Sequence, residues 1–139
     1  MHLIKLNNKI FRTTQGYLDK VLKKYELSSG SYPYLLILRE NEGISQNKIS
    51  SELGYDKSMS ARTITKLIKL GYLDRKKDEV DSRAYKLYLT EKAKVIIPKV
   101  VEEIHKLVNI ITIDLNEEAK VLTISSLNKV LSNIRKIKL

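Results

Sequence analysis

Between Lys57 and Leu73 the chain carries no Asp or Glu, although it has 16 of them overall. Projected as a helix at about 100° per residue, Ser58, Thr65, Lys66 and Lys69 fall within about 60° of Arg62. Lys57 adds a cation at its start. Ser60, Ile64, Leu67 and Ile68 occupy the far side, with Ala61 at the border. Such a face has ammonium, guanidinium and hydroxyl donors and no carboxylate. It is chemically suited to neutralise phosphates and to donate to base edges in the major groove of duplex DNA. A solvated surface helix is also amphipathic, but in a protein this rich in acids it would mix signs.

A second cationic set follows. Arg75, Lys76, Lys77 and Arg83 flank the polar tip 77–83 between two stretches of altered period. Arg75, Lys77 and Arg83 are the candidate DNA contacts there, since a cation on a projecting hairpin can enter a minor groove. Asp78 and Glu79 suit a solvated turn. Asp81, two residues before Arg83, is better placed to orient an arginine through a charge-assisted hydrogen bond than to touch DNA. Upstream, Ser45 and Gln46 are candidate contacts to the DNA backbone.

The elements that must hold these groups are legible from periodicity. Leu3, Leu6, Ile10, Tyr17, Leu18, Val21 and Leu22 predict a long amphipathic helix over 3–25, interrupted by Gly16. The spacing predicts a short helix over 34–39, and another over 46–53 with Ser45 as its N-cap. A tight turn follows at 53–55. Asp56 then caps the cationic helix, which Gly71 stops. Residues 72–76 and 84–89 read as strands, with Tyr85, Leu87 and Leu89 on one face. Thr90 caps a helix whose stripe runs from Ile97 to Ile111, with Pro98 expected to bend it. Asn116, followed by Glu117 and Glu118, opens a last helix with Ala119, Leu122, Leu127, Val130, Leu131, Ile134 and Ile137 on one stripe. The fold class expected is mainly α with a small β-hairpin wing: a winged helix-turn-helix with long helices at both ends.

Composition narrows the classes of function. The chain has 139 residues, which fits a single domain over 1–139. Lys and Arg outnumber Asp and Glu by 26 to 16, a net charge of +10 that favours an anionic partner. Cys is absent, which removes thiol switches, disulfides and thiolate metal sites. The opening residues have too short an apolar run for a signal peptide, and the stretch 95–113 is broken by Lys99, Glu102, Glu103 and Lys106. The expectation is a soluble cytoplasmic protein with no membrane partner. An enzyme is not expected: there are two His, no Gly-rich phosphate loop and no nucleophile–base pair. His2 and His105 stand alone, so no metal site and no cofactor are expected either.

Several stretches of the sequence resemble a known family. Gly43-Ile44-Ser45-Gln46 and Ile49-Ser50-Ser51-Glu52-Leu53-Gly54 are similar to the first half of the helix-turn-helix of MarR (multiple antibiotic resistance type) regulators. Asp56-Lys57-Ser58, Leu67 and Gly71-Tyr72-Leu73 resemble its second half. Asp81-Ser82-Arg83, followed by Leu89-Thr90-Glu91-Lys92, resembles the wing and the entry to the next helix. The similarity runs from about Leu36 to Lys94. It implies a DNA-binding lobe over about 32–90 and dimerisation helices over about 3–25 and 91–139. It further implies a sequence-specific transcription regulator, a ligand-responsive repressor that binds double-stranded DNA at a palindromic operator as a homodimer. By similarity Arg83 would enter the minor groove, Asp81 would position an arginine such as Arg62, and Ser58, Arg62, Thr65 and Lys66 would face the major groove. Two residues depart from the family pattern: Ser60 stands where an apolar residue is usual, and Ala61 where a hydroxyl is common.

A small-molecule effector is the remaining expected partner, in a crevice between the dimer helices and the DNA lobe. Tyr17, Tyr32, Tyr34 and Arg39 are the candidates to line it, although each also fits a packing or surface role. The alternative class is a basic winged-helix module that docks protein or binds RNA without operator specificity. RNA would explain the charge equally well, whereas a docking module would not need an acid-free helix face. Preference for a palindromic duplex separates these readings.

Overall fold

The computed structural model describes residues 2–81 and 83–138. Ser82, within the expected wing tip, lies outside the described residues, as do the terminal Met1 and Leu139. Helix α1 spans His2–Leu22 and runs into a 3-10 turn, Lys23–Tyr25. Helix α2 is Tyr32–Glu40, starting two residues before the expected 34–39. Pro33 explains the difference: proline fits the first turn of a helix, where its missing N–H would have no intrahelical partner. Helix α3 is Gln46–Leu53, with Ser45 Oγ accepting the Lys48 N–H at 3.1 Å. Gly54 follows in the left-handed region (φ 70°) and sends its N–H back to the Ser50 and Ser51 carbonyls, a reversal that suits glycine. Helix α4 is Lys57–Lys69.

Strands β1 (Leu73–Lys77) and β2 (Tyr85–Leu89) pair antiparallel from Leu73 opposite Leu89 to Lys77 opposite Tyr85. Each begins one residue later than its periodicity suggests. The stretch 43–45, which periodicity leaves as loop, runs along the other edge of β2. There Gly43 N–H donates to the Leu87 carbonyl (2.9 Å) and Leu87 N–H to the Ile44 carbonyl (3.1 Å). With its N–H and its carbonyl both bonded to this segment and its side chain fully buried, Leu87 ties the hairpin to the stretch entering α3.

The core of this part gathers Leu22, Tyr34, Leu35, Leu38, Ile49, Ile64, Leu67, Leu73, Leu87 and Val100, all within 1% of complete burial. Each aliphatic side chain so enclosed contributes about 1.5–3 kcal/mol before the entropy of ordering is subtracted. Helix α5 (Glu91–Ile111) contains Pro98, which withholds an N–H from the Lys94 carbonyl. Helix α6 (Glu117–Arg135) starts at Asn116, whose Oδ1 accepts the Ala119 N–H at 2.8 Å. No described helix is long and apolar enough to cross a membrane.

The chain forms two compact units, Met1–Ile104 and His105–Leu139, dividing within α5. The first holds the helix-turn-helix and the hairpin. The second holds the end of α5 and all of α6, in which no residue is buried.

Candidate nucleic-acid interface

Helix α4 divides as its projection implies. Ser60, Ile64 and Leu67 are buried and Ile68 half-buried, whereas Lys57, Ser58, Arg62, Thr65, Lys66 and Lys69 are exposed. Its start is fixed by Asp56, whose Oδ1 accepts the Ser58 N–H at 2.8 Å. Arg62, Thr65, Lys66 and Lys69, with Ala61, line a shallow groove of about 360 Å³ along the outer face. Donors of both kinds are thus presented side by side on a rigid element whose opposite face is core.

The buried Ser60 is explained by its partner. Its hydroxyl lies 2.7 Å from the Tyr34 hydroxyl of α2, so a polar residue at an apolar position is satisfied by a second one. Burial pushes the Tyr34 phenol above its usual range, and the Ser60 hydrogen bond works against that shift. Tyr34 is fully buried, which removes it from the candidate lining of an open effector crevice. The spacing of α4 shows Ser60 on the core side, but nothing in the sequence pairs it with a residue 26 positions away.

On the hairpin, Arg75, Lys77 and Arg83 are exposed, as expected for candidate contacts. Two cation–ring stacks hold the basic side chains along the strands. The Arg75 guanidinium lies 4.6 Å from the Tyr85 ring centre, and Lys76 Nζ lies 5.0 Å from that of Tyr88. These stacks follow from the register, which sequence periodicity does not supply. The tip is built by its acids. Asp78 Oδ1 accepts the Val80 N–H (2.8 Å) and the Asp81 N–H (3.4 Å), and Lys86 Nζ stands 3.9 Å from Oδ2. These bonds, the Val80 amide foremost, hold the Asp78 carboxyl below its ordinary range. Asp81 Oδ1 accepts the Arg83 backbone N–H at 3.0 Å, a bond to main chain.

Of the backbone candidates, Ser45 caps α3, while Gln46 turns its Oε1 inward, buried and without a partner among the described residues. The candidate effector residues do not come together. Arg39 pairs with Glu40 (3.1 Å) and lines a cavity of about 440 Å³ with Glu42, Leu89, Lys94, Ile97 and Pro98. Tyr17 and Tyr32 are half-buried and line neither this cavity nor the next. A different crevice, of about 430 Å³, opens between α1 and α4. Phe11, Tyr55 and Met59 give it an apolar wall, Ser31 and Thr63 hydroxyls, and Lys66 a cation from the outer face of α4.

A helix, a turn through Gly54, a second helix with an exposed cationic face, and a hairpin beside it define a winged helix-turn-helix. A family model for the MarR family matches residues 27–85. The chain is 37% identical over 81 residues to the HTH-type transcriptional regulator BilQ of Clostridioides difficile, a match covering 58% of this chain and 55% of that one. It spans about half the length of the curated relatives it matches. Among solved structures, a MarR transcriptional regulator from Methanosarcina mazei Go1 superposes with a TM-score of 0.92 at 31% identity, covering 99% of both chains. A MarR-family regulator from Listeria monocytogenes, solved in complex with a 26mer DNA, gives 0.89 at 25% identity over 94% of this chain and 87% of that one. The chain belongs to the MarR family of transcription regulators.

Proposed function

We propose that this protein is a cytoplasmic transcription repressor that reads a palindromic site on duplex DNA as a homodimer and releases it when a small ligand binds. The observation that carries the DNA reading is the outer face of α4. Arg62, Thr65, Lys66 and Lys69 stand exposed together over a buried far side, in a stretch with no acid from Lys57 to Leu73. The hairpin supports it with Arg75, Lys77 and Arg83 around a tip ordered by Asp78 and Asp81. The Listeria relative, solved on a 26mer DNA, supports the same partner.

The homodimer reading rests on α6. Val121, Leu122, Ile124, Leu127, Val130, Leu131 and Ile134 are between 43% and 67% exposed, and Leu3, Leu6, Ile10 and Phe11 of α1 between 51% and 58%. Apolar patches of this extent mark interaction surfaces, and a second copy supplies matching ones. The ligand reading rests on the 430 Å³ crevice beside α4. An aromatic anion seated on Phe11 and Met59 would pair with Lys66 and compete with phosphate for it.

The test is selection of bound sequences from a random duplex pool at about 150 mM salt, where non-specific binding is suppressed. Enrichment of a palindrome with half-sites about one helical turn apart is the expected result. A folded protein that enriches no duplex, or prefers RNA, overturns it.

A further inference from the structure

Three successive backbone carbonyls at the exit of helix α4, from its C-cap Leu70 to Tyr72, all find donors at the start of α5. Lys92 Nζ donates to the Leu70 carbonyl at 2.6 Å, Thr90 Oγ1 to the Gly71 carbonyl at 2.6 Å, and the Thr90 N–H to the Tyr72 carbonyl at 3.1 Å. The last carbonyls of a helix lack intrahelical donors and carry the negative end of its dipole, so a cation there is favourable. Lys92 also lies over the Tyr72 ring, 4.7 Å from its centre. Its stem runs past Gly71, with Cδ 3.6 Å from where a β-carbon would sit. Gly71 has φ 82°, so this approach and the reversal out of α4 both suit glycine. The far side of the joint is ordered too. Thr90 Oγ1 accepts the Ala93 N–H (3.2 Å) as the N-cap of α5, and the Tyr72 hydroxyl donates to the Tyr25 carbonyl at 2.7 Å.

We infer that Lys92, with Thr90, is a positioning latch that fixes the C-terminal end of the recognition helix to the start of α5. Lys92 is exposed and basic, and in a DNA-binding protein such a lysine would ordinarily be assigned to a phosphate. Its ammonium is committed to a carbonyl and a ring within its own chain. A shift of α5 at this joint is therefore carried directly into α4, through bonds made within the chain. The inference deepens the DNA-binding reading and relies on it for its second readout only.

The test uses the full chain with Lys92→Met, which keeps the stem over Gly71 and removes the charge, and Lys92→Arg, which keeps the charge. In the free protein, hydrogen exchange at the Leu70, Gly71 and Tyr72 amides is expected to quicken about threefold to tenfold in the methionine variant. The Ile49 and Leu87 amides should stay as they are, and arginine should restore the slow exchange. On the selected operator, affinity and the ratio of specific to non-specific binding should fall together, with the slope of log K against log salt unchanged. Unaltered exchange at the end of α4 overturns the latch, and so does faster exchange spread evenly over the domain. A salt slope shallower by about one would instead make Lys92 a phosphate contact. If the parent chain selects no operator, the DNA reading falls, while the exchange result still decides on the latch.

Discussion

Ser60 shows how one residue's chemistry is settled by its neighbour. A buried hydroxyl opposite a buried phenol is stable as a pair and costly when halved. Tyr34→Phe or Ser60→Ala each leaves one polar group buried without this partner, at an expected cost of about 1–3 kcal/mol. The double variant should lose less than the sum of the two, because both unpaired groups are gone. Denaturant titration of the four proteins checks this, and strict additivity would mean the bond contributes nothing. Burial raises the Tyr34 phenol, so the stability it contributes is complete below the ordinary tyrosine range and is lost as pH rises through the raised value. On the outer face, Arg62→Ala should cost about 1–3 kcal/mol on the selected operator and relax preference at one base position, if Arg62 grips a base bidentately. Binding-site selection with the variant reads this directly; an unchanged consensus removes Arg62 from sequence reading.

At the scale of elements, the hairpin is organised by acids in a region whose proposed partner is anionic. Asp78 and Asp81 spend oxygens on backbone N–H groups at the tip, which leaves the cations around them as the outward charge. Because Asp78 titrates below its ordinary value, its support for the tip is complete above the usual carboxylate range. That support is lost as pH falls through the depressed value. A lower protection factor at the Val80 amide, its exchange taken relative to the intrinsic rate at the same pH, is therefore expected in acid, while amides within β1 and β2 stay protected. Asp78→Ala should show the same loss of protection at neutral pH and little further acid response; a Val80 protection factor indifferent to both would dismiss the carboxylate as the organiser. The cation–ring stacks of Arg75 on Tyr85 and Lys76 on Tyr88 act at the same scale. They hold basic side chains along the strands, which lowers the entropy cost of presenting them.

At the scale of the molecule, α6 carries an apolar stripe with no buried residue. A helix of 19 residues with none buried is marginal in water, since most helical stability comes from packing an apolar face. Leu127→Glu in α6, or truncation before Asn116, is expected to convert the proposed dimer to monomer in sedimentation experiments. A truncated chain that remains a well-behaved dimer would place the interface elsewhere. On the proposed reading, loss of specific operator binding should accompany loss of the dimer, because two copies would grip a palindrome.

The helices, the hairpin and the division of α4 into a cationic and a core face are legible from sequence, because period, caps and turn residues are local signals. Ser45, Asp56, Thr90 and Asn116 cap where their side chains and neighbours say they should. Even the two-residue error at the start of α2 lies in a local rule, the tolerance of a helix's first turn for Pro33. What depended on tertiary structure was pairing between distant positions. The Tyr34–Ser60 bond, the 43–45 edge of β2, the stacks across the hairpin, the crevice holding Lys66 and the Lys92 latch all join residues by side-chain direction and register. Tyr34 makes the difference plain. Sequence offers it as a crevice residue because a tyrosine has both a ring and a donor, and the fold closes it in the core because α4 brings a hydroxyl to meet it. Residue type and spacing decide what a side chain is able to do, and the packing of one element on another decides which of those options it takes.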